Sequence, residues 1–331
     1  MFVNTLQYLV CPDCESTDLK LHSEQTLKGD VKSGRVICST CTESFPIHDG
    51  VLIWLTNPDQ YLRAHVTERE DHIEHIDESL ESDRVTALYW LGHYVSAKEL
   101  LSANPKLSAT LKTLVKKYWD QGPMQTLAKL FKQKKLSGSM LELGCGSGGL
   151  AHLLGSNLDS YLGIDSAYQG VKRARDILIT KKNIYNAPSD LVQGPLANKI
   201  TAKSKTKPPL DCDFIVVDIE IGGLKKNHWD MVAAFNVIDM LEEPSQLFKL
   251  KQFLLKSSGI AVSSSPYIWH PETAKQLKPK KNESSQDRMV RMSREAGFGK
   301  IAFEIRDIPW LFFKNINQLE IYNVHLLGVR N

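Results

Sequence analysis

The sequence has no apolar run approaching the roughly 20 residues needed to cross a bilayer. Its first ten residues, Met1 to Val10, offer neither the basic start nor the small-residue cleavage site of a secretory signal. A cytoplasmic protein without membrane partners is the expectation. A charge excess is also missing. The formal net charge is +3, which neither demands nor excludes nucleic acid, because tracking a phosphate backbone takes local clustering and not a global surplus. There is no internal repeat, and 42% hydrophobic with 24% charged residues excludes disordered and collagen-like classes. What remains is a globular chain of 331 residues, enough for one large domain with a small one, or for two of medium size.

Cysteine is sparse but patterned. Six occur, at 11, 14, 38, 41, 145 and 212, and the first four form two CxxC pairs, Cys11-Pro-Asp-Cys14 and Cys38-Ser-Thr-Cys41, 23 residues apart. In a reducing compartment such pairs favour metal over disulfides. Two thiolates three positions apart on a tight turn can share an ion, and two such turns complete the closed tetrahedral set of structural zinc. Cys11, Cys14, Cys38 and Cys41 are therefore expected to hold one zinc with no chemical role. The segment ends in Phe45-Pro46-Ile47-His48-Asp49-Gly50-Val51-Leu52. Together with the CPxC and CxxC pairs, this resembles the small zinc-ribbon activator proteins that pair with RNA and protein methyltransferases. The resemblance covers about 50 residues and implies a ribbon carried in cis that offers a surface to a partner protein.

Asn57 and Pro58 break the pattern. From about 59 to 135 the text is helical, first strongly charged (Glu68-Arg69-Glu70-Asp71, Glu78, Glu81), then more apolar. His72 and His75 lie in the charged part, where a metal role is not expected. From Ser139, apolar runs at 139–143, 160–165, 212–219, 229–235 and 259–265 alternate with helical patterns, the signature of βαβ units and a mostly parallel sheet. Pro244 to Lys256 sets Leu247, Leu250 and Leu254 on one face of a crossover helix. Lys300–Arg306 and Glu320–Val329 read as an antiparallel strand pair at a sheet edge. The Lys-rich stretches 199–208 and 275–288 read as surface loops. The expected division is a zinc ribbon at 1–57, a helical linker and lid at 58–135 and a cofactor-binding domain at 136–331.

Within Met140-Leu141-Glu142-Leu143-Gly144-Cys145-Gly146-Ser147-Gly148-Gly149, a strand runs into a glycine-rich turn that opens a helix. The glycines permit backbone geometry and close approach that a Cβ would forbid. Asp165 ends the next strand, 21 residues after Gly144, and can accept hydrogen bonds from a ribose. Gly144, Gly146 and Gly149 also satisfy the dinucleotide GxGxxG pattern. Glu142 decides between the two ligands: an acid is out of place beneath a pyrophosphate but suits the cationic sulfonium and amino-acid tail of S-adenosylmethionine (SAM). Residues 139–331 resemble the class I SAM-dependent methyltransferases, whose first motif is matched from Glu142 to Gly148. The resemblance implies an α/β, Rossmann-like sheet with a C-terminal antiparallel pair. It also implies a SAM site at Glu142, Gly144, Cys145, Gly146 and Gly148, with Asp165 on the ribose. Asp218, near the end of Phe214-Ile215-Val216-Val217-Asp218-Ile219, falls beside the adenine, or is simply an exposed acid at a strand end.

Open α/β sheets bind ligands at the carboxyl ends of their strands. Asn236 and Asp239 leave the fourth strand, and Tyr267 and Trp269 leave the fifth. Phe235-Asn236-Val237-Ile238-Asp239-Met240 and Ser264-Ser265-Pro266-Tyr267-Ile268-Trp269 resemble the methyltransferase domain of ovothiol biosynthesis and, more loosely, the carnosine and protein-histidine methyltransferases, which methylate imidazole nitrogens. Asp307-Ile308-Pro309-Trp310-Leu311 and Tyr322 fit the same resemblance. It implies Asp239 as the partner of an imidazole that must lose a proton on methylation, with Asn236 and Tyr267 shaping the pocket. Asp239 could instead cap a helix ahead of Glu242, and Tyr267 and Trp269 could be packing aromatics. The expected acceptor is an imidazole-bearing small molecule or peptide. Alternatives are an RNA base, with the Lys-rich loops as phosphate contacts, and a non-catalytic SAM-binding scaffold.

Overall fold

A computed structural model describes residues 1–67, 89–181, 184–186, 199–201, 208–209, 211–220 and 222–331. After a 3₁₀ turn at Val3–Tyr8, the chain forms two successive hairpins, Leu19–Leu27 (β1) with Asp30–Cys38 (β2), and Ser44–His48 (β3) with Val51–Trp54 (β4). Both turn on two residues of positive φ, Lys28–Gly29 and Asp49–Gly50, the backbone twist that joins antiparallel strands with least splay. Pro58–Leu62 (α1) and a π-helical turn at Arg63–Thr67 follow. Residues 89–94 (α2), Ala97–Ala103 (α3), Ala109–Tyr118 (α4) and Pro123–Lys134 (α5) lead into the central sheet. Ser96 and Glu99 form a reciprocal capping box on α3, and the Ser108 side chain caps α4. The charged segment with His72, His75, Glu78 and Glu81 lies outside the described residues, as do 202–207 of the first Lys-rich stretch.

The central part alternates as its apolar periodicity requires. In chain order it comprises Ser139–Leu143 (β5), Gly149–Leu154 (α6), Ser160–Asp165 (β6), Tyr168–Leu178 (α7), the small pair Ile184–Asn186 (β7) and Lys199–Thr201 (β8), Asp211–Val217 (β9), Trp229–Phe235 (β10), Pro244–Leu254 (α8), Leu255–Ser265 (β11), Pro271–Gln276 (α9), Ser285–Glu295 (α10), Lys300–Asn315 (β12) and Gln318–Arg330 (β13). The large sheet has eleven strands in the order β1-β2-β3-β4-β9-β6-β5-β10-β11-β13-β12. Strands β4 to β11 in that order run parallel, and the hairpins at both ends are antiparallel. The N-terminal pair of hairpins thus enters the central sheet directly, with Ile53 opposite Val216 and Trp54 opposite Val217.

Each face of the sheet carries a core. Leu127, Phe131, Val171 and Ile177 of α5 and α7 pack on one side, with Tyr161 and Phe214. On the other, Leu247, Phe248 and Leu254 of α8 and Met289 of α10 share one cluster with the ribbon's Phe45, Trp54, Cys11 and Cys38. Two sequence expectations need correction. Residues 275–288 are not one surface loop: Ser284 caps α10 by accepting from the Asp287 N–H, so the polar run ends in a helical first turn. The first C-terminal strand does not stop at Arg306. It shifts register between Ile305 and Ile308, with Asp307 at φ 61°, and continues through Pro309 to Asn315. A proline is tolerated there because β12 is the sheet's edge.

Candidate functional site

The turn from β5 to α6 is built by close approach. The Gly144 N–H and Cys145 N–H both donate to the Ile164 carbonyl, at 2.8 and 2.9 Å, tying the turn to β6. Gly144 (φ 73°) lies against Val237, whose Cγ2 is 2.4 Å from where a Cβ would stand. Around Gly146 no heavy atom lies within 4 Å of that position, so its backbone borders open space. Asp165, at the end of β6, accepts from the Gly146 N–H (2.8 Å) and from Ala167 N–H (2.9 Å), one bond to each oxygen. Burial raises its pKa against those bonds. Glu142 is wholly buried beneath the turn. Tyr161 donates its hydroxyl to Oε2, while Oε1 has no hydrogen-bond partner among the described residues. Burial pushes this carboxyl up to about 8 despite Tyr161, with Asp165 adding to the rise. The Cys145 thiol is also buried, and burial, then Asp165, drives its pKa well up, which favours the protonated thiol.

These residues fit SAM. A buried carboxyl oxygen without a donor suits a ligand amino group or sulfonium, and the open face at Gly146 leaves room beside Asp165. Asp218 follows β9 and, with Ser166, lines a cavity of about 340 Å³ beside Asp165. Its other walls include Leu55, Thr56 and Asn57 at the end of the ribbon and Tyr61 of α1. Tyr61 donates its hydroxyl to the Ser166 carbonyl (2.6 Å) and accepts from the Tyr168 N–H (3.0 Å), pinning α1 over the β6 end.

A second group gathers at the ends of β10 and β11. Asn236 sits at φ 56°, a conformation asparagine tolerates, and its N–H donates to the Ser264 carbonyl (2.8 Å). Asp239 is 3% exposed, and its Oδ2 accepts from the Ile268 N–H at 2.9 Å. No helix begins at Asp239: the next one, α8, starts at Pro244 with Glu243 as N-cap, so the capping alternative fails. Burial raises the Asp239 pKa against the bond from the Ile268 N–H. Asn236 Oδ1, Asp239 Oδ1 and Ser264 Oγ, all buried, have no hydrogen-bond partner among the described residues. Tyr267 joins the group through its backbone, donating its N–H to Ser265 Oγ (2.8 Å), while its hydroxyl turns to Met289 and His325. Trp269 Nε1 donates to Ser285 Oγ at 3.0 Å.

Several residues near these groups carry no sequence signal. His93 and Tyr94 of α2 reach the glycine turn, His93 Nδ1 standing 3.1 Å from Ser147 Oγ and Tyr94 donating to the Ser147 carbonyl (2.7 Å). The His93 ring lies 2.5 Å from where a Gly149 Cβ would stand, which accounts for glycine there. Tyr89 packs toward Trp310 and Phe312 with ring centroids 6.3 and 5.1 Å away, and Trp310 lies 5.2 Å from Tyr322. The partial burial of Tyr89 raises its pKa, with the charges of Asp239 and Glu320 adding to the rise.

In the N-terminal unit, the sulfurs of Cys11, Cys14, Cys38 and Cys41 lie within 4.8 Å of one another. Each pair sits on a knuckle closed by a backbone bond, Glu15 N–H to the Cys11 carbonyl and Thr42 N–H to the Cys38 carbonyl, at 2.8 and 3.0 Å. Four converged thiols at this spacing are compatible with one tetrahedral zinc.

No described helix is long and apolar enough to cross a membrane. A comparison with curated proteins finds no match. Among solved structures, phosphoethanolamine N-methyltransferase 2 of Haemonchus contortus, in complex with S-adenosyl-L-methionine, is 16% identical; the match covers 55% of this chain and 38% of that one, with a TM-score of 0.37. Magnesium protoporphyrin IX methyltransferase of Synechocystis, with bound SAM, is 16% identical over 63% of this chain and 78% of that one, with a TM-score of 0.37. A methyltransferase in complex with the Trm112 methyltransferase activator of Haloferax volcanii is 13% identical over 62% of this chain and 93% of that one, with a TM-score of 0.39. A family model described as a methyltransferase domain matches residues 115–312, more than half of the chain. With that match over this sheet and glycine turn, the chain belongs to the methyltransferase domain family and is a SAM-dependent methyltransferase.

Proposed function

We propose that this enzyme methylates a ring nitrogen of an imidazole-bearing small molecule or peptide. The observation that carries the reading is the pair of unpaired buried acceptors, Asn236 Oδ1 and Asp239 Oδ1, where the chain leaves the carboxyl end of β10 beside the parallel strand β11. Buried polar atoms are almost always paired, so their partner here is a ligand that donates protons. A neutral imidazole has one N–H to donate and one bare nitrogen to methylate, and the N–H proton must leave as the second nitrogen takes the methyl. Asp239, its pKa raised by burial, is suited to orient that N–H and receive its proton. When bound, SAM supplies an electrophilic methyl group on a sulfonium sulfur. Glu142, the 144–148 turn and Asp165 are the residues we assign to holding it, with Asp218 and Ser166 toward the adenine. The aromatic rings of Tyr89, Trp310 and Tyr322 offer flat apolar walls for a planar acceptor. Cys11, Cys14, Cys38 and Cys41 would hold a structural zinc, and the ribbon stands in the place of a separate activator subunit.

The acids beside this site weigh against an RNA acceptor. Glu220, Glu242 and Glu243, with Lys249 beside them, line one groove of about 480 Å³ after β9 and β10, so acids outnumber bases there, and burial together with Asp218, Glu242 and Glu243 raises the Glu220 pKa. Such a rim repels a phosphate backbone. The test is to incubate the enzyme with methyl-labelled SAM and cell extract divided into small-molecule, protein and RNA fractions. Label should enter the small-molecule or protein fraction and be lost when that fraction is first treated with diethylpyrocarbonate, which blocks imidazole. Label in RNA, removed by ribonuclease, would overturn the reading.

A further inference from the structure

We propose that His325 is a positioning residue for the acceptor site, fixing the turn that aims Asp239; the inference rests on the reading of Asp239 given above. Tyr267, in the turn after β11, is held at φ 59°, a region that bulky side chains adopt only when their surroundings enforce it. The residue after it, Ile268, donates the backbone bond that holds Asp239 Oδ2. The residue two before it, Ser265, accepts the Tyr267 N–H at 2.8 Å and ties the turn to the end of β11. The orientation of the acceptor carboxylate is therefore set by this left-handed turn.

What holds the turn is the far end of the Tyr267 side chain. Its oxygen lies 2.6 Å from His325 Nδ1 and 2.9 Å from Met289 Sδ. His325 is fully buried on β13, directly opposite Ser265 of β11 in the antiparallel register. Its other nitrogen, Nε2, stands 3.2 Å from Glu304 Oε1 on β12, and Arg306 Nε in turn donates to that oxygen at 2.7 Å. Glu304 can only accept, so Nε2 carries the proton, and in the neutral ring Nδ1 is left with a bare lone pair. Tyr267 donates to that lone pair. Nitrogen is a far better acceptor than the thioether beside it, so the directional bond is to His325. A leucine or phenylalanine at 325 would fill the space but leave the Tyr267 hydroxyl with a sulfur alone, and the strained turn would relax. The pairing of an imidazole in an otherwise apolar strand face with a strained tyrosine has no role in packing that an apolar residue would not serve better.

The test reads the Ile268 amide by hydrogen exchange, which needs no acceptor. In His325→Leu, Ile268 should exchange at least about tenfold faster, with the amides of Val232 to Phe235 in β10 unchanged as an internal reference. His325→Asn, whose side-chain oxygen can accept in place of Nδ1, should stay within about threefold of the parent. Tyr267→Phe removes only the hydroxyl and should reproduce His325→Leu; it carries the test if the leucine variant fails to fold. Unchanged Ile268 exchange in Tyr267→Phe would overturn the proposal. Methyl transfer by Asp239→Asn tests the underlying reading separately. If that variant is fully active, Asp239 is not the acceptor's partner, even where the exchange data show that His325 holds the turn.

Discussion

Replacing Arg175 by methionine should loosen the joint between the ribbon and the methyltransferase sheet, and the cost can be worked from the contacts. Arg175, on α7, is 1% exposed. One end of its guanidinium meets Asp30 of β2 at 2.5 Å and the other meets Asp213 of β9. Asp30 also accepts from the Met1 amino group (2.6 Å) and from Lys32 (2.5 Å), and Asp213 Oδ2 accepts from Thr5 Oγ (2.5 Å) and the Phe2 N–H (2.9 Å). Burial alone would raise the Asp30 pKa, but Arg175 and the amino terminus overcome it and hold it at about 2. Removing one partner of a buried ion pair costs about 3–5 kcal/mol, because the remaining charge stays desolvated. The other donors on both acids place this case near the lower end. At about 2.1 cal/mol/K of unfolding entropy per residue, a chain of 331 residues loses roughly 1.5 °C per kcal/mol, so a cost of about 3–4 kcal/mol should lower the melting temperature by roughly 4–6 °C. Differential scanning calorimetry at pH 7 reads this directly. A double variant, Arg175→Met with Asp213→Asn, also removes the acid whose other donors, Thr5 and the Phe2 N–H, are neutral, and should recover part of the loss, while Asp30 keeps the Met1 amino group and Lys32. A shift of about 1 °C or less in the single variant, or no recovery in the double, would refute the reasoning.

Elemental analysis should find about one zinc per chain, and Cys38→Ser should lose both the metal and the fold of the ribbon; a metal-free protein with an intact ribbon would contradict this. Glu142, raised by burial to about 8, contributes stability that is fully present below its unfolded pKa near 4.5 and is lost as pH rises through 8. Glu142→Gln should therefore match the parent's melting temperature at pH 5 and exceed it at pH 9, and equal pH dependence of the two would show that the carboxyl is not buried neutral. Gly149→Ala should push the His93 ring off the glycine turn and weaken SAM binding by about tenfold in calorimetry; unchanged affinity would mean that α2 does not brace the cofactor loop.

The parts of the fold that repeat locally were legible in the sequence. Strands β5, β6, β9, β10 and β11 announce themselves by apolar runs, and α8 by Leu247, Leu250 and Leu254. The glycine turn is legible because its backbone conformation excludes other residues, and Asp165 because it stands one βα unit later. What was not legible depends on pairing across distance. The junction of β4 with β9 joins residues 53 and 216, and no local pattern encodes it. The β12 strand was cut short because Pro309 reads as a breaker until its edge position is known. Tyr61, His93 and His325 lie on ordinary helix and strand positions, and only the approach of other elements gives them a partner. For Asp239, both a cap and a ligand contact fitted the sequence; α8 starts only at Pro244, which removes the cap, and the ligand contact stands as the proposal.

The central claim, that the acceptor is held at the end of β10, is tested most directly by Asp239→Asn. The change is nearly isosteric and leaves the glycine turn and Asp165 intact. With an acceptor identified by labelled SAM, steady-state turnover should fall at least tenfold, toward the factor of about 10²–10⁴ that a positioned proton acceptor contributes, while SAM affinity measured by calorimetry stays within about twofold. Full turnover in the variant, or a collapse of SAM affinity in its place, would contradict the account.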